Sequence, residues 1–161
     1  MNNIVVANKT KLRAADSIKD FVTMRVAGQL FGIPVMLVQD VLRPQKITPI
    51  PLAPKEVAGS LNLRGRIVTA IDVRKRLGLE ARAEKEKYML VAVEHKNDIY
   101  SLVVDSVGEV LSLSIKDFQA NPTNLNPNWQ QVSLGIYRLK EELLIVLDAE
   151  NLLSFDVSGK R

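Results

Sequence analysis

The sequence has no cysteine, few aromatic residues and no long apolar run, and each of these absences excludes a class of protein. With no cysteine among 161 residues, the chain has neither a disulfide framework nor a thiol nucleophile or thiolate metal site. No stretch reaches the roughly 18 apolar residues that a membrane-spanning helix needs, so we expect no direct membrane insertion. The N-terminus also lacks the long apolar core of a secretory signal. Together these features predict a cytoplasmic protein.

Residues that carry out chemistry are also scarce. The single histidine, His95, lies in the polar stretch Glu94–Asp98 and is predicted to be a solvated residue at a hairpin tip. The sequence contains no nucleophile elbow and no glycine-rich phosphate loop. Asp72 and Asp148 each precede a stretch of helical pattern, which predicts two helix N-caps; a paired-carboxylate site, and with it an unrecognised enzyme, is the alternative. We therefore expect no catalytic residues, no metal site and no cofactor.

The positive charge of the chain is modest and locally diluted. The net charge is +4 and aromatic residues make up 5%, which is few for a surface that stacks nucleic-acid bases. Basic residues concentrate between Arg64 and Lys87, but Glu80, Glu84 and Glu86 are interspersed among them. This basic midsection is predicted to be a solvated face, so no nucleic-acid partner is expected. A small-barrel nucleic-acid binder that uses it stays the alternative function.

The chain consists instead of a succession of short β-prone runs. Phe21–Val26 and Leu30–Val35, joined by Ala27-Gly28-Gln29, form a predicted hairpin. Val38–Leu42 and Arg66–Ile71 are further predicted strands. Four prolines between residues 44 and 54 predict a long loop between these two strands.

The two halves of the chain repeat one pattern. Five apolar positions recur at an offset of 69, as from Phe31 to Tyr100, and seven positions recur at an offset of 76, as from Gly59 to Gly135. The first set pairs Phe31, Ile33, Val35, Val38 and Val41 with Tyr100, Leu102, Val104, Val107 and Val110; the second pairs Gly59, Leu61, Leu63, Ile67, Ile71, Asp72 and Leu77 with Gly135, Tyr137, Leu139, Leu143, Leu147, Asp148 and Leu153. This internal duplication predicts an all-β chain of two small five-stranded barrels that share an apolar interface with a groove between them.

Composition sets the predicted boundaries of these units. Residues 1–19 mix small, polar and basic types and are predicted to be a flexible tail. We expect the first barrel at about residues 20–80, a charged linker at about 80–87 and the second barrel at about 88–148. Short helices are predicted at Val73–Leu77 and at 149–155. Trp129, in a connection rich in proline and asparagine, is predicted to anchor a loop on the second barrel.

One turn stands out by its residue types. Arg64 precedes Gly65 immediately before the strand at 66–71, where glycine can adopt a positive φ and the arginine projects outward. A guanidinium in this position can form forked hydrogen bonds to carboxylates or carbonyls. A turn-stabilising or solvated arginine fits the spacing equally well.

Four segments in a fixed order carry a family resemblance. They are Val38-Gln39-Asp40-Val41, Gly59-Ser60-Leu61-Asn62-Leu63-Arg64-Gly65, Ile71-Asp72-Val73-Arg74 and Val103-Val104-Asp105-Ser106-Val107. Over about residues 18–155, within an expected domain of 20–156, the chain resembles the CheW family of chemotaxis coupling proteins. The resemblance implies a mainly β fold of two SH3-like five-stranded barrels with short helices.

The resemblance also implies a function and a set of contacts. It indicates a non-catalytic adaptor that couples the cytoplasmic tips of chemoreceptors to the regulatory domain of the histidine kinase CheA; contacts with other copies in rings stay open. The implied receptor-binding residues are Val35, Val38, Asp40, Val41, Arg64 and Tyr88, and the implied kinase-binding residues are Ile47 and Ile50. Asp40 stands where the family often has glutamate, which keeps the charge and shortens its reach. An amphipathic receptor helix would place its apolar side chains on such a surface.

Overall fold

The structure is a computed structural model that describes residues 17–83 and 85–154. This part of the chain contains eleven strands, three single-turn α-helices and two 3-10 helices. The strands are β1 (Ile18–Val26), β2 (Gln29–Pro34), β3 (Val38–Leu42), β4 (Val57–Leu63), β5 (Arg66–Asp72), β6 (Met89–His95), β7 (Asp98–Val104), β8 (Ser106–Ser114), β9 (Phe118–Gln119), β10 (Ser133–Arg138) and β11 (Leu143–Leu147). The α-helices are α1 (Val73–Arg76), α2 (Pro127–Gln130) and α3 (Ala149–Leu152), and the 3-10 helices are Val35–Leu37 and Ile115–Asp117.

The strands form two sheets, and each sheet is one of two SH3-like barrels. Barrel I is the five-stranded sheet in the order β3-β6-β7-β5-β4. Barrel II is the six-stranded sheet in the order β8-β1-β2-β11-β10-β9, in which β9 has only two residues. The predicted mainly β fold of two small barrels is confirmed.

Each barrel takes strands from both halves of the sequence, so the predicted barrel boundaries are wrong. The hairpin β1–β2 joins barrel II because β2 pairs in parallel with β11. The hairpin β6–β7 joins barrel I because β7 pairs in parallel with β5. The barrels are therefore not residues 20–80 and 88–148: the leading hairpin of each half lies in the barrel of the other half.

The predicted ends of the domain also need correction. β1 begins at Ile18, so the predicted tail at 1–19 ends too late, and its residues 1–16 lie outside the described residues. The predicted C-terminal helix at 149–155 is too long, because α3 ends at Leu152; residue 155 lies outside the described residues.

Matching structural details in the two halves confirm the duplication. The carboxylates of Asp72 and Asp148 accept hydrogen bonds from the backbone N–H groups of Lys75 and Asn151, so both are N-caps as predicted. Each also donates its own backbone N–H across the barrel, Asp72 to the Glu56 carbonyl and Asp148 to the Val132 carbonyl, both at 2.8 Å. The offset of 76 residues thus relates hydrogen bonds as well as residue types.

Three apolar clusters make up the core. The largest lies between the barrels and combines residues of barrel II, such as Met24 and Phe31, with residues of barrel I, such as Ile71 and Leu102. Two smaller clusters fill the barrels, one around Phe21, Tyr137 and Leu144 and one around Leu61, Val68 and Leu90. Because a fully buried side chain of this size contributes about 1.5–3 kcal/mol, the shared cluster holds the two barrels together. The apolar interface predicted from the duplication is present.

The structure confirms the prediction for Trp129 and contradicts the one for His95. The indole of Trp129 in α2 packs 5.8 Å from the ring of Phe31 against the shared core, which confirms the predicted loop anchor. The prediction for His95 is wrong: its side chain is only 11% exposed and lies 3.7 Å from the Glu150 carboxylate. The turn itself is formed by Lys96 and Asn97, both with positive φ, and His95 is the last residue of β6.

Candidate functional site

Strand β3 presents alternate residues to solvent at the edge of barrel I. It pairs with β6 alone, and Val38, Asp40 and Leu42 are half-buried while Gln39 and Val41 are exposed. Just before β3, the 3-10 helix exposes Val35 and Met36, of which the Met36 side chain is 83% exposed. These two side chains border a groove of about 350 Å³ that Ile18, Lys19, Asp20, Pro34 and Leu37 also line. Because Ile18, Lys19, Asp20 and Pro34 belong to barrel II, this groove lies where the two barrels meet. Strand β3, which follows it in the chain, carries one half-buried carboxylate, that of Asp40.

The turn between β4 and β5 brings Arg64 to that carboxylate. Arg64 and Gly65 both have positive φ, 52° and 85°, which is the two-residue hairpin turn that matches the twist of the strands. The Asn62 side chain supports the turn by accepting a hydrogen bond from the Gly65 N–H at 2.7 Å. The Arg64 side chain projects from the turn, 80% exposed, and its Nη2 lies 2.7 Å from the Asp40 Oδ2.

The pairing of Asp40 with Arg64 depends on the curl of the sheet. Strands β3 and β4 lie at opposite ends of the barrel I sheet, so a contact between β3 and the β4–β5 turn forms only when the sheet bends round. Both residues were implied by the family resemblance, but nothing in the sequence paired them. The Asp40 side chain is 24% exposed and the Arg64 side chain 80%, so the part of this pair that is open to a partner is the Arg64 guanidinium.

Tyr88 lies farther along the rim of barrel I. It immediately precedes β6, and its ring packs with Leu42 and Ile47 on the interior cluster of the barrel. Its hydroxyl donates to the backbone carbonyl of Gln45 at 3.1 Å, and the Arg82 guanidinium lies 5.8 Å from the ring centroid. Tyr88 therefore joins the segment before β6 to the loop after β3.

The two implied kinase-binding residues lie on that loop and differ in burial. Ile47 is half-buried and packs on the interior cluster of barrel I beside Gly59, whereas Ile50 is 41% exposed. Sequence reasoning missed Leu52, which is 97% exposed and has a positive φ of 63°. The available signal was Pro51, because proline favours the second position of a turn whose third position has positive φ.

An ion network around Asp105 was also missed. Asp105 separates β7 from β8, where the chain passes from barrel I to barrel II. Its carboxylate accepts hydrogen bonds from Arg74 Nη2 at 2.6 Å, from Arg82 Nη2 at 2.6 Å and from the Ala27 N–H at 2.7 Å. Burial acts to raise the pKa of Asp105, but the bonds from Arg74, Arg82 and Ala27 outweigh it and hold the pKa at about 2. The signal in the sequence was an isolated acid between two apolar runs.

This network corrects the expectation for two residues of the basic midsection. The side chains of Arg74 and Arg82 are 15% and 8% exposed, and Arg74 also lies 3.5 Å from Glu86. These two are neutralised within the molecule. Other basic residues of the midsection are exposed, as predicted: Arg64, Arg66, Lys75, Lys85 and Lys87. With those two cations withdrawn, the midsection is a poorer match for a phosphate backbone, which argues against the nucleic-acid alternative.

Barrel II has an apolar opening of its own. A cavity of about 260 Å³ at one end of the barrel is lined by residues that include Phe21, Ile115, Phe118, Leu134 and Tyr137.

Within residues 17–83 and 85–154 no helix is long and apolar enough to cross a bilayer.

Comparison with known proteins identifies relatives along nearly the whole chain. The family model of the CheW-like domain matches residues 20–156. The chain is 31% identical over 137 residues to a chemotaxis protein CheW of Treponema pallidum, which covers 83% of this chain and 81% of that protein. It is 28% identical to a chemotaxis protein CheW of Klebsiella aerogenes, with 92% and 90% covered.

A solved structure agrees with the fold. The crystal structure of the scaffolding protein TtCheW from Thermoanaerobacter tengcongensis superposes with a TM-score of 0.77 at 28% identity, covering 88% of this chain and 95% of that one.

Proposed function

Since this chain belongs to the CheW family of chemotaxis coupling proteins, we propose that it is a non-catalytic cytoplasmic adaptor that couples chemoreceptors to the histidine kinase CheA. The observation that carries the proposal is the rim of barrel I, where exposed aliphatic side chains flank the ion pair between Asp40 and Arg64. The two carboxylates that suggested an enzyme are both occupied as helix caps.

The receptor contact on this rim combines apolar anchors with a charged group. Val35 and Val41 are 39% and 38% exposed, and Val38 lies between them, half-buried. An amphipathic helix from a receptor tip would bury its apolar side chains on these residues. Arg64, with its guanidinium largely in solvent, would donate hydrogen bonds to carboxylate or carbonyl groups of the same helix, and Tyr88 extends the contact along the rim.

The kinase contact uses the loop after β3. Ile50 and Leu52 both display apolar side chains on it, and neither is covered by the barrel. Ile47 supports the loop from beneath by packing into the barrel interior. We assign the CheA regulatory domain to this apolar loop and place the receptor tip at β3 and Arg64.

Charge reversal at Arg64 tests the receptor contact. Arg64→Glu should fold normally, because an exposed charge rarely decides stability, yet it should abolish assembly of the adaptor with a receptor-tip fragment and CheA in a sedimentation assay. The duplication supplies a matched control, since Lys140 occupies the equivalent position in barrel II. Lys140→Glu carries the same change of charge on the other barrel and should leave assembly intact.

A second variant identifies what Arg64 recognises. The double variant Asp40→Arg with Arg64→Glu restores an ion pair of reversed polarity. Assembly should stay lost if the Arg64 guanidinium touches the receptor, as we propose. If Arg64→Glu alone assembles as well as Lys140→Glu, the receptor site is not on this rim.

A further inference from the structure

The charged segment between α1 and β6 contains one arginine that is largely withdrawn from solvent. Residues 80–87 were predicted to be a linker, and Ala81, Ala83 and Lys85 are exposed. Arg82 differs from them, because its side chain is only 8% exposed. An arginine held this far from solvent within a charged segment needs a partner, since burying an unpaired cation is costly.

The partners of Arg82 lie on two sides. Its Nη2 donates to Asp105 Oδ1 at 2.6 Å, and its guanidinium carbon lies 5.8 Å from the centre of the Tyr88 ring, within the range of a cation–π contact. The Tyr88 hydroxyl is fixed at the other end of the ring by the Gln45 carbonyl at 3.1 Å. The ring is therefore held both across its face and at its hydroxyl.

Asp105 is itself firmly placed. Besides Arg82, it accepts hydrogen bonds from Arg74 of α1 and from the Ala27 N–H in the β1–β2 turn, and its own N–H donates to the Arg25 carbonyl at 3.0 Å. These contacts join elements of both barrels. A continuous series of contacts thus runs from the barrel junction through Asp105 and Arg82 to Tyr88 and the loop after β3.

We propose that Arg82, anchored by Asp105, is a positioning residue that sets the ring of Tyr88 for partner docking on the rim of barrel I. The inference rests on the proposed function and adds to it a residue that the partner does not touch. Arg82 is 8% exposed whereas Arg64 is 80% exposed, so Arg82 acts through Tyr88. The contacts from Asp105 through Arg82 to Tyr88 make Arg82 part of the docking site.

Arg82→Met tests this role in the full-length protein. Methionine keeps most of the side-chain length but loses the forked donor and the cation over the ring. The affinity for a soluble fragment of a receptor tip, measured by titration calorimetry, should fall about tenfold. The ring resonances of Tyr88 in NMR spectra should shift, while those of Phe31 and Tyr137 in the cores stay in place.

The control is a second arginine with a carboxylate partner, whose side chain is 44% exposed against 8% for Arg82. Arg25 forms two hydrogen bonds to the Glu142 carboxylate, at 2.9 and 2.8 Å, on barrel II. Arg25→Met should leave both the receptor affinity and the Tyr88 resonances unchanged. Arg82→Lys serves as the conservative variant, because lysine keeps the charge beside Asp105 but not the planar fork; it should fold and retain part of the affinity.

A double-mutant cycle separates positioning from a general structural effect. If Arg82 acts through Tyr88, then adding Arg82→Met to Tyr88→Ala should weaken receptor binding no further than Tyr88→Ala alone. Additive losses would overturn the inference, as would normal affinity in Arg82→Met together with weakened binding in Tyr88→Ala. Unfolding of both Arg82→Met and Arg82→Lys would show a purely structural role and overturn it as well. Normal binding of Arg64→Glu and Tyr88→Ala would instead refute the proposed receptor site.

Discussion

The two barrels share a scaffold and differ in what they display. Each has a bulge glycine, Gly59 or Gly135, where the register of its strand pair shifts, and each has an aspartate that caps a one-turn helix. The strand order of barrel I matches that of barrel II when the hairpins β6–β7 and β1–β2 are taken as equivalents. The residues that the backbone requires were therefore retained in both copies.

The displayed surfaces show no such correspondence. The β4–β5 turn of barrel I has Arg64 and Gly65, whereas the equivalent turn of barrel II has Lys140 and no glycine. In barrel I the side chains of Tyr88 and Ile47 both pack on the interior cluster, whereas barrel II has an open apolar cavity lined by Phe21, Phe118 and Tyr137. Helix α1 is tied to its surroundings by Arg74 and Asp105, while α3 uses Glu150 against Lys96 at 3.3 Å. The comparison indicates that folding constrains the interior positions and that docking distinguishes the surfaces.

Separating the halves should have the largest effect. Because each barrel borrows a hairpin from the other half, residues 1–83 and 84–161 expressed as two chains should each be unfolded alone, with circular dichroism typical of a random coil. Mixing them should restore the β spectrum, since the two chains together supply all strands of both barrels. A fragment that folds alone would show that the exchanged hairpins are dispensable.

Alanine substitution at the bulge glycines should have the second-largest effect on stability. A Cβ at Gly59 would overlap the Thr48 carbonyl oxygen, and one at Gly135 would overlap the Phe118 ring and lie 2.5 Å from the Gln119 oxygen. Gly59→Ala and Gly135→Ala should each lower the free energy of unfolding by about 2–4 kcal/mol in urea titrations. Gly65→Ala, whose Cβ meets open space, should cost about 1 kcal/mol. Equal losses at all three positions would contradict the steric argument.

Loss of the Asp105 carboxylate should produce an intermediate effect that depends on pH. The pKa of this group is about 2 in the folded protein against an ordinary value of 3.8, so its contribution is fully present above about pH 4 and disappears as the pH falls through 2. Asp105→Asn should lower the free energy of unfolding by about 2 kcal/mol at pH 7. The variant should also lose less stability than the parent protein when the pH falls from 4 to 2, as measured by thermal unfolding.

The contrasting variant lies on barrel II. Arg25 lowers the pKa of Glu142, but this pair is exposed, so Glu142→Gln should change stability much less than Asp105→Asn. A similar loss in both variants would remove the distinction between the junction network and a surface ion pair.

The helix caps should have the smallest effect. Asp72→Ala and Asp148→Ala each remove one acceptor from a helix N-terminus and should each cost about 1 kcal/mol. Asp72→Asn and Asp148→Asn keep an acceptor and should stay close to the parent in urea unfolding. A large difference between the two barrels would mean that their caps are not equivalent.

Much of the local structure was predictable from the sequence. The hairpin at 21–35, strand β3, the helix after Asp72 and the anchoring of Trp129 all agree with the structure. His95 was misjudged because its hairpin tip packs beside Glu150 of a distant helix, and Arg82 was misjudged because its partner Asp105 lies beyond two further strands. These errors have one cause, since each concerns a polar side chain whose partner is remote in sequence.

The sequence by itself determined the periodic apolar runs, the turn and cap residues and the duplication that they reveal, because strand alternation, positive φ and N-capping depend on residues only a few positions apart. Tertiary structure alone decided which hairpin entered which barrel. The exchange is made by contacts between residues far apart in sequence, because β2 pairs with β11, β7 pairs with β5, and side chains of both halves meet in the shared core. Long-range contacts also bring Arg64 to Asp40 and place Arg82 between Asp105 and Tyr88.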